Sequence, residues 1–120
     1  MKRDMELVRE ILFLLESQED GAILEVPEGL DKYNVASHLE IMSQANLVKG
    51  KTIWADNEPF WMQYNLTWQG HDFIDSIRSE SVWNKIKSTV KDKGLEIGGL
   101  TIDVIAEMAK SFAKDILGLN

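Results

Sequence analysis

The chain contains no cysteine. That removes disulfides, thiolate metal ligands and thiol nucleophiles at once, and it fits a reducing cytosol. Histidine is scarce as well. His38 and His71 are far apart and form no HxxxH or HExxH pattern, so the spacing that zinc sites use is missing. Cations are outnumbered, with 13 Lys and Arg against 20 Asp and Glu, a net charge of −7. Such a balance excludes a surface that grips phosphate backbones all over, but it leaves room for a local basic patch. Long apolar runs are also lacking. The opening MKRDMELVREILFLLES is interrupted by Asp4, Glu6 and Glu10, and its longest uncharged apolar run is Ile11 to Leu15. A bilayer needs about 20 such residues, and a secretory leader has a different shape. The expectation is a cytoplasmic protein with no membrane partner.

What is present reads as one domain's worth of chain, 120 residues. Met5, Val8, Leu12 and Leu15 recur at helical spacing, widened by Leu7, Ile11 and Leu14, and predict a helix over 3–17 that Gly21 caps. AILEV, residues 22–26, is β-branched and bounded by Gly21 and Pro27, and predicts a short strand. Val35, Leu39 and Met42 form the buried stripe of a second helix over 32–45. VKGKTIWA and FWMQYNLT then read as two strands joined by ADNEP. Alternation along the second strand puts Met62, Tyr64 and Leu66 on one face and Trp61, Gln63 and Asn65 on the other.

LTWQGHDFID follows, and its His71-Asp72 pair invites a catalytic reading. Thr67 suits an N-cap, Trp68 opens a helix, and Gly70 suits a close approach to a neighbouring backbone. Adjacent helical residues do not face each other, so the pair is read as a strand-to-helix junction. Ser81 is the expected cap of the next helix, with Trp83, Ile86 and Val90 as its stripe. From Arg78 to Lys93 five cations (Arg78, Lys85, Lys87, Lys91, Lys93) face two acids (Glu80, Asp92), net +3, the one clearly basic stretch. A glycine-punctuated connection, KGLEIGGL, leads to a last helix capped by Thr101 and ended by Gly118. Ile102, Ile105, Ala109, Phe112 and Ile116 are spaced 3, 4, 3, 4, a coiled-coil-like seam. It either folds onto its own core or pairs with a second copy.

The order helix, short strand, helix, hairpin, helix defines an α+β, winged-helix-like class with an added amphipathic C-terminal helix. Residues 1–93 make the winged-helix-like domain, and 94–120 make the glycine linker and a C-terminal helix packed on the domain or in a dimer. ANLV and YNLTWQG resemble the junctions of that fold, in which the helix before the hairpin reads DNA and the hairpin is the wing. Only residues 27–31 stand where the first helix of a helix-turn-helix pair belongs.

MKRDMELVREIL, LTWQGHDFIDSIRSESVWNKIK and LTIDVIAEMAK together resemble an uncharacterised family of small bacterial and prophage proteins, a domain of unknown function. The resemblance covers nearly the whole chain. It implies a bacterial or mobile-element origin and a regulatory or DNA-linked role, and it carries over no catalytic or binding residue.

Candidate DNA contacts are Tyr33, Asn34, Ser37 and His38 on the second helix and Lys49 and Lys51 on the wing. The charge around them is thin: Lys32 against Asp31 and Glu40 is net −1, and Lys49 and Lys51 against Asp56 and Glu58 is net zero. The rival reading is a protein-docking winged helix, with Trp54 and Trp61 as partly exposed contacts while Trp68 and Trp83 pack inside. The partner is double-stranded DNA in the first reading, and a second copy or another protein in the rival. The scattered acids form no acid-base pair and GGL is no phosphate loop, so neither an enzyme nor a cofactor is expected.

Overall fold

A computed structural model describes residues 1–19 and 23–119. It is an α+β protein whose described residues form five α-helices and one two-stranded antiparallel sheet. The elements are α1 (Met5–Ser17), α2 (Lys32–Gln44), β1 (Val48–Ala55), β2 (Glu58–Leu66), α3 (Trp68–Ile77), α4 (Glu80–Asp92) and α5 (Ile102–Leu117), with a 3-10 turn at Ile97–Gly99 before α5. They fall into two compact units, one of Glu6–His71 and the other of Met1–Met5 with Asp72–Asn120. No helix among the described residues is long and apolar enough to cross a membrane.

In the first unit, the α1 stripe buries Val8, Ile11, Leu12 and Leu15, and the α2 stripe buries Val35, Leu39 and Met42. Asp31 starts α2, its carboxylate accepting from the backbone N–H groups of Tyr33 at 2.8 Å and Asn34 at 3.4 Å. Asn46 in the left-handed region (φ 60°) ends it, and Leu47 N–H returns to the Met42 carbonyl at 2.9 Å. The expected strand over 22–26 is absent among the described residues: 23–26 form no regular secondary structure, although Leu24 is buried. Residue 22 and the Gly21 cap lie outside the described residues.

The hairpin turns at Asp56-Asn57, both at positive φ (52° and 61°), a two-residue turn whose twist suits the strands. The strands therefore extend to Ala55 and Glu58, and the turn is shorter than the five residues of ADNEP. Cross-strand partners include Trp54↔Pro59, Ile53↔Phe60, Thr52↔Trp61, Lys51↔Met62, Lys49↔Asn65 and Val48↔Leu66. Between Lys49 and Lys51 the register slips, so Gln63 and Tyr64 together oppose Gly50. Gln63 takes φ 56°. This is a β-bulge, and it corrects the simple alternation expected for β2. Tyr64 shares the buried face with Trp61 and Pro59, whereas Met62 and Phe60 are exposed. Gly50 is what the bulge requires, because a Cβ there would overlap both the ring and the Cα of Tyr64. Tyr64 is then fixed twice: its hydroxyl lies 2.9 Å from Thr52 Oγ1, and its carbonyl accepts from Gln18 Nε2 at 2.8 Å.

Thr67 joins the hairpin to α3. Its N–H donates to the Leu47 carbonyl at 3.0 Å, and its hydroxyl donates to the Asn46 carbonyl and accepts from Gly70 N–H at 3.0 Å. Gly70 lies against the Leu47 carbonyl, where a Cβ would have no room.

In the second unit Phe73, Ile74 and Ile77 are buried on α3, and Trp83, Ile86 and Val90 on α4. The α4 cap is Ser79, accepting from Val82 N–H at 3.3 Å, and not Ser81. Arg78 ends its own helix beside Asp75, which leaves Ser79 in the extended conformation that a cap needs. Thr101 caps α5 through Val104 N–H at 3.1 Å, and Gly118 (φ 71°) closes it. α5 packs on α4. Along its seam Ile105 and Ala109 are buried, Ile102 and Phe112 half-buried, and Ile116 exposed.

Candidate functional site

The six candidate DNA contacts separate into two groups. Trp54, Pro59, Thr52 and Trp61 share the sheet face on which α2 packs, with the Tyr33 and Trp54 rings stacked at 6.3 Å and 14°. Lys49 and Lys51 pair with Asn65 and Met62 on the opposite, outer face. The hairpin therefore stands between the α2 group and the lysine group.

On α2 most groups are already used. His38 is fully buried, its Nδ1 lying 2.8 Å from the Asn34 carbonyl, so it faces the interior and no groove. The Ser37 hydroxyl donates to the Tyr33 carbonyl at 3.1 Å. Tyr33 donates its hydroxyl to Glu58 Oε1 at 3.4 Å. Lys32 pairs with Glu58. A hydrogen bond from Lys32 is the main reason the Glu58 carboxyl sits below its ordinary range, and the same bond raises the Lys32 ammonium. Asn34 is exposed.

The outer face is different. Lys49 and Lys51 are exposed and make no ion pair among the described residues. Two shallow depressions meet at Lys49, one running over the bulge to Ile53 and Met62, the other running to Thr67 and Trp68. No Asp or Glu lines either of them. Four carboxamides do: Asn46, Gln63, Asn65 and Gln69. Phe60 extends the strip from its place opposite Ile53.

The tryptophans change places relative to expectation. Trp68 does not pack inside: it is 79% exposed at the first turn of α3. Position explains this, because the stripe of α3 is Phe73, Ile74 and Ile77, and Trp68 falls off that face. Trp61 is buried instead, and its Nε1 has no acceptor among the described residues. Trp54 is 55% exposed and Trp83 is buried. The residues missed from sequence are Phe60, Met62 and Trp68. The Lys-Gly-Lys spacing at 49–51 was the one signal that pointed to their face.

Elsewhere the basic stretch of α4 is partly spent. Lys85 lies 3.8 Å from Asp115 and 4.8 Å above the Phe112 ring, and Arg78 is 2.7 Å from Asp75. His71 and Asp72 are both exposed. Among the described residues no three His, Cys, Asp or Glu side chains are grouped to hold a metal ion.

Comparison with known proteins adds the lineage. The family described as "Hypothetical protein (DUF2513)" matches residues 2–96. An uncharacterized protein of Haemophilus influenzae is 35% identical over 120 residues, spanning 98% of this chain and 99% of that protein. No solved structure matches. The chain belongs to the DUF2513 family.

Proposed function

We propose that this DUF2513 protein is a bacterial nucleic-acid-binding accessory protein, winged-helix-like in the order of its elements, that acts by binding and not by catalysis. The observation that carries the reading is the outer hairpin face, where Lys49 and Lys51 make no ion pair among the described residues and line two depressions that hold no Asp or Glu, in a chain with net charge −7. Selective clearing of acids around two free cations is what a phosphate backbone requires. The hairpin is then the principal contact and α2 its support. This reverses the usual division of labour in a winged helix, in which the helix before the hairpin reads the bases. Binding to chromosomal or prophage DNA in the cytoplasm, and regulation of transcription there, are the roles that follow.

The test is fluorescence anisotropy with mixed-sequence duplex DNA at low and at physiological salt. Binding that weakens steeply with salt supports the reading, and no binding to any nucleic acid at low salt sinks it. A protein-docking role is the second reading. It is favoured by the exposed Tyr33–Trp54 stack beside a groove lined by Pro27, Leu30 and Trp61. Trp54→Ala would weaken a protein partner's binding while leaving oligonucleotide affinity unchanged.

A further inference from the structure

We infer that the outer hairpin strip takes a single-stranded nucleic acid segment, with bases stacked on Trp68 and Phe60 and phosphates held by Lys49 and Lys51. The inference rests on the nucleic-acid reading above and narrows it from any nucleic acid to an unpaired strand.

The two rings lead to that choice. Trp68 is 79% exposed and Phe60 54% exposed. Large aromatic surfaces left in water are unfavourable unless something covers them. In a duplex the base faces are already stacked on one another and offer a ring nothing to lie on. In a single strand every base has a free face, and aromatic platforms beside cations are the usual way to hold one. Trp68 is also held in place. Thr67 anchors the helix start through its N–H to the Leu47 carbonyl, its hydroxyl to the Asn46 carbonyl, and the bond it accepts from Gly70 N–H. A base stacking on the indole therefore orders little new backbone.

The charges lie between the rings. Along the strip the order is Phe60, then Met62 opposite Lys51, then Lys49 opposite Asn65, then Trp68. Lys49 and Lys51 are alternate residues of one strand, about 6.6–6.8 Å apart along it, a step comparable with that between phosphates of an extended single strand. The carboxamides of Asn46, Gln63, Asn65 and Gln69 offer donors and acceptors to exposed base edges and add no charge. Apart from Trp68 and Phe60, the flanks show Ile53 and Met62, apolar surface that bases and sugars can cover. An acidic or purely apolar protein partner would leave the four amides unexplained.

The test uses the full chain with a fluorescently labelled mixed-sequence single strand and the matching duplex, at low and at physiological salt. The expected result is tighter binding of the single strand, with a log–log salt slope near −1.4 for two phosphates. Trp68→Ala should weaken it roughly 5- to 150-fold, the range for one lost stacked base, while Trp68→Phe keeps most of the affinity. Binding should also quench tryptophan emission in the wild type and much less in Trp68→Phe. Because Trp68 is exposed, neither variant should change the circular dichroism spectrum. Binding of duplex alone, or single-strand binding that Trp68→Ala leaves intact, overturns the inference while the nucleic-acid reading stands. Binding of neither at low salt overturns both.

Discussion

The exposed side of α2 and the outer face of the hairpin carry similar side chains, a few cations, amides and aromatic rings, yet they differ in what those groups are doing. On α2, Lys32 is held by Glu58, Tyr33 lies against Trp54, Ser37 bonds its own backbone and His38 is buried. On the outer hairpin face Lys49, Lys51 and Phe60 are exposed, as is Trp68 at the start of α3, and the lysines have no ion pair among the described residues. The lesson is that residue type does not make a binding surface. A lysine committed to a neighbouring carboxylate has little charge left for a ligand, whereas one on an acid-free face keeps all of it.

The comparison is broken most severely by removing the bulge that builds the hairpin face. In Gly50→Ala the new methyl meets the Tyr64 ring and also its Cα, so rotating the ring away does not relieve the overlap. Overpacking costs about 1–3 kcal/mol, and a backbone collision belongs at the upper end. Urea denaturation should show that loss as a lower midpoint. Oligonucleotide binding should fall as well, because the bulge lies on β2 and losing it shifts Asn65 out of register with Lys49 and moves the strand end that leads to Trp68. A Gly50→Ala protein with wild-type stability and affinity would mean that the bulge does not set the face.

A smaller and sharper effect comes from the cations themselves. Lys49→Ala with Lys51→Ala should flatten the salt dependence by about 0.7 for each phosphate that is no longer neutralised, if the ligand is a single strand. Stability should barely change, since surface substitutions away from packed features stay within about 0.5 kcal/mol. Asn34→Ala with Ser37→Ala on α2 should leave both slope and affinity where they were. The opposite pattern, with α2 sensitive and the hairpin silent, would return recognition to the helix.

Much of this architecture could be read from the sequence because it rests on local chemistry. Thr67 and Thr101 cap helices where their spacing before apolar stripes says they should, whereas Asp31, which caps α2, reads from the sequence only as part of a loop. Gly70 was legible because a glycine one turn into a helix asks what it touches, and the answer is the Leu47 carbonyl. The face of β2 was not legible. Period-two alternation fails at one residue, Gln63, whose positive φ nothing in its side chain announces. That single slip exchanged Trp61 for Met62 and hid the apolar half of the strip. Trp68 was misplaced for a related reason. A tryptophan near a core stripe looks like core until the helix phase is fixed by Phe73 and Ile77, and one residue of phase decides between buried and exposed. Electrostatic commitment is less legible still, since Lys32 and Glu58 are distant in sequence and meet only because the hairpin returns to α2.

That pair gives the smallest effect and the last contrast between the two faces. Glu58 is stabilised as a carboxylate in the folded protein, so its contribution is present above the unfolded carboxyl range and is lost as pH falls through its lowered folded pKa. Lys32 is raised, so its contribution is present below the unfolded ammonium range and is lost as pH rises through the folded value. The pair therefore supports the fold across neutral pH and fails at both extremes. Its side chains are 45% and 42% exposed, so salt screens it and its weight is small. Thermal melting of Glu58→Gln against wild type should show a slight deficit at neutral pH that closes as the solution is made strongly acid, or as salt is added. The same variant frees Lys32 on α2. If α2 reads nucleic acid, that new free cation should tighten oligonucleotide binding and steepen its salt slope by one phosphate's worth. If the hairpin does, the slope should not move, because Lys49 and Lys51 have no ion pair among the described residues to lose.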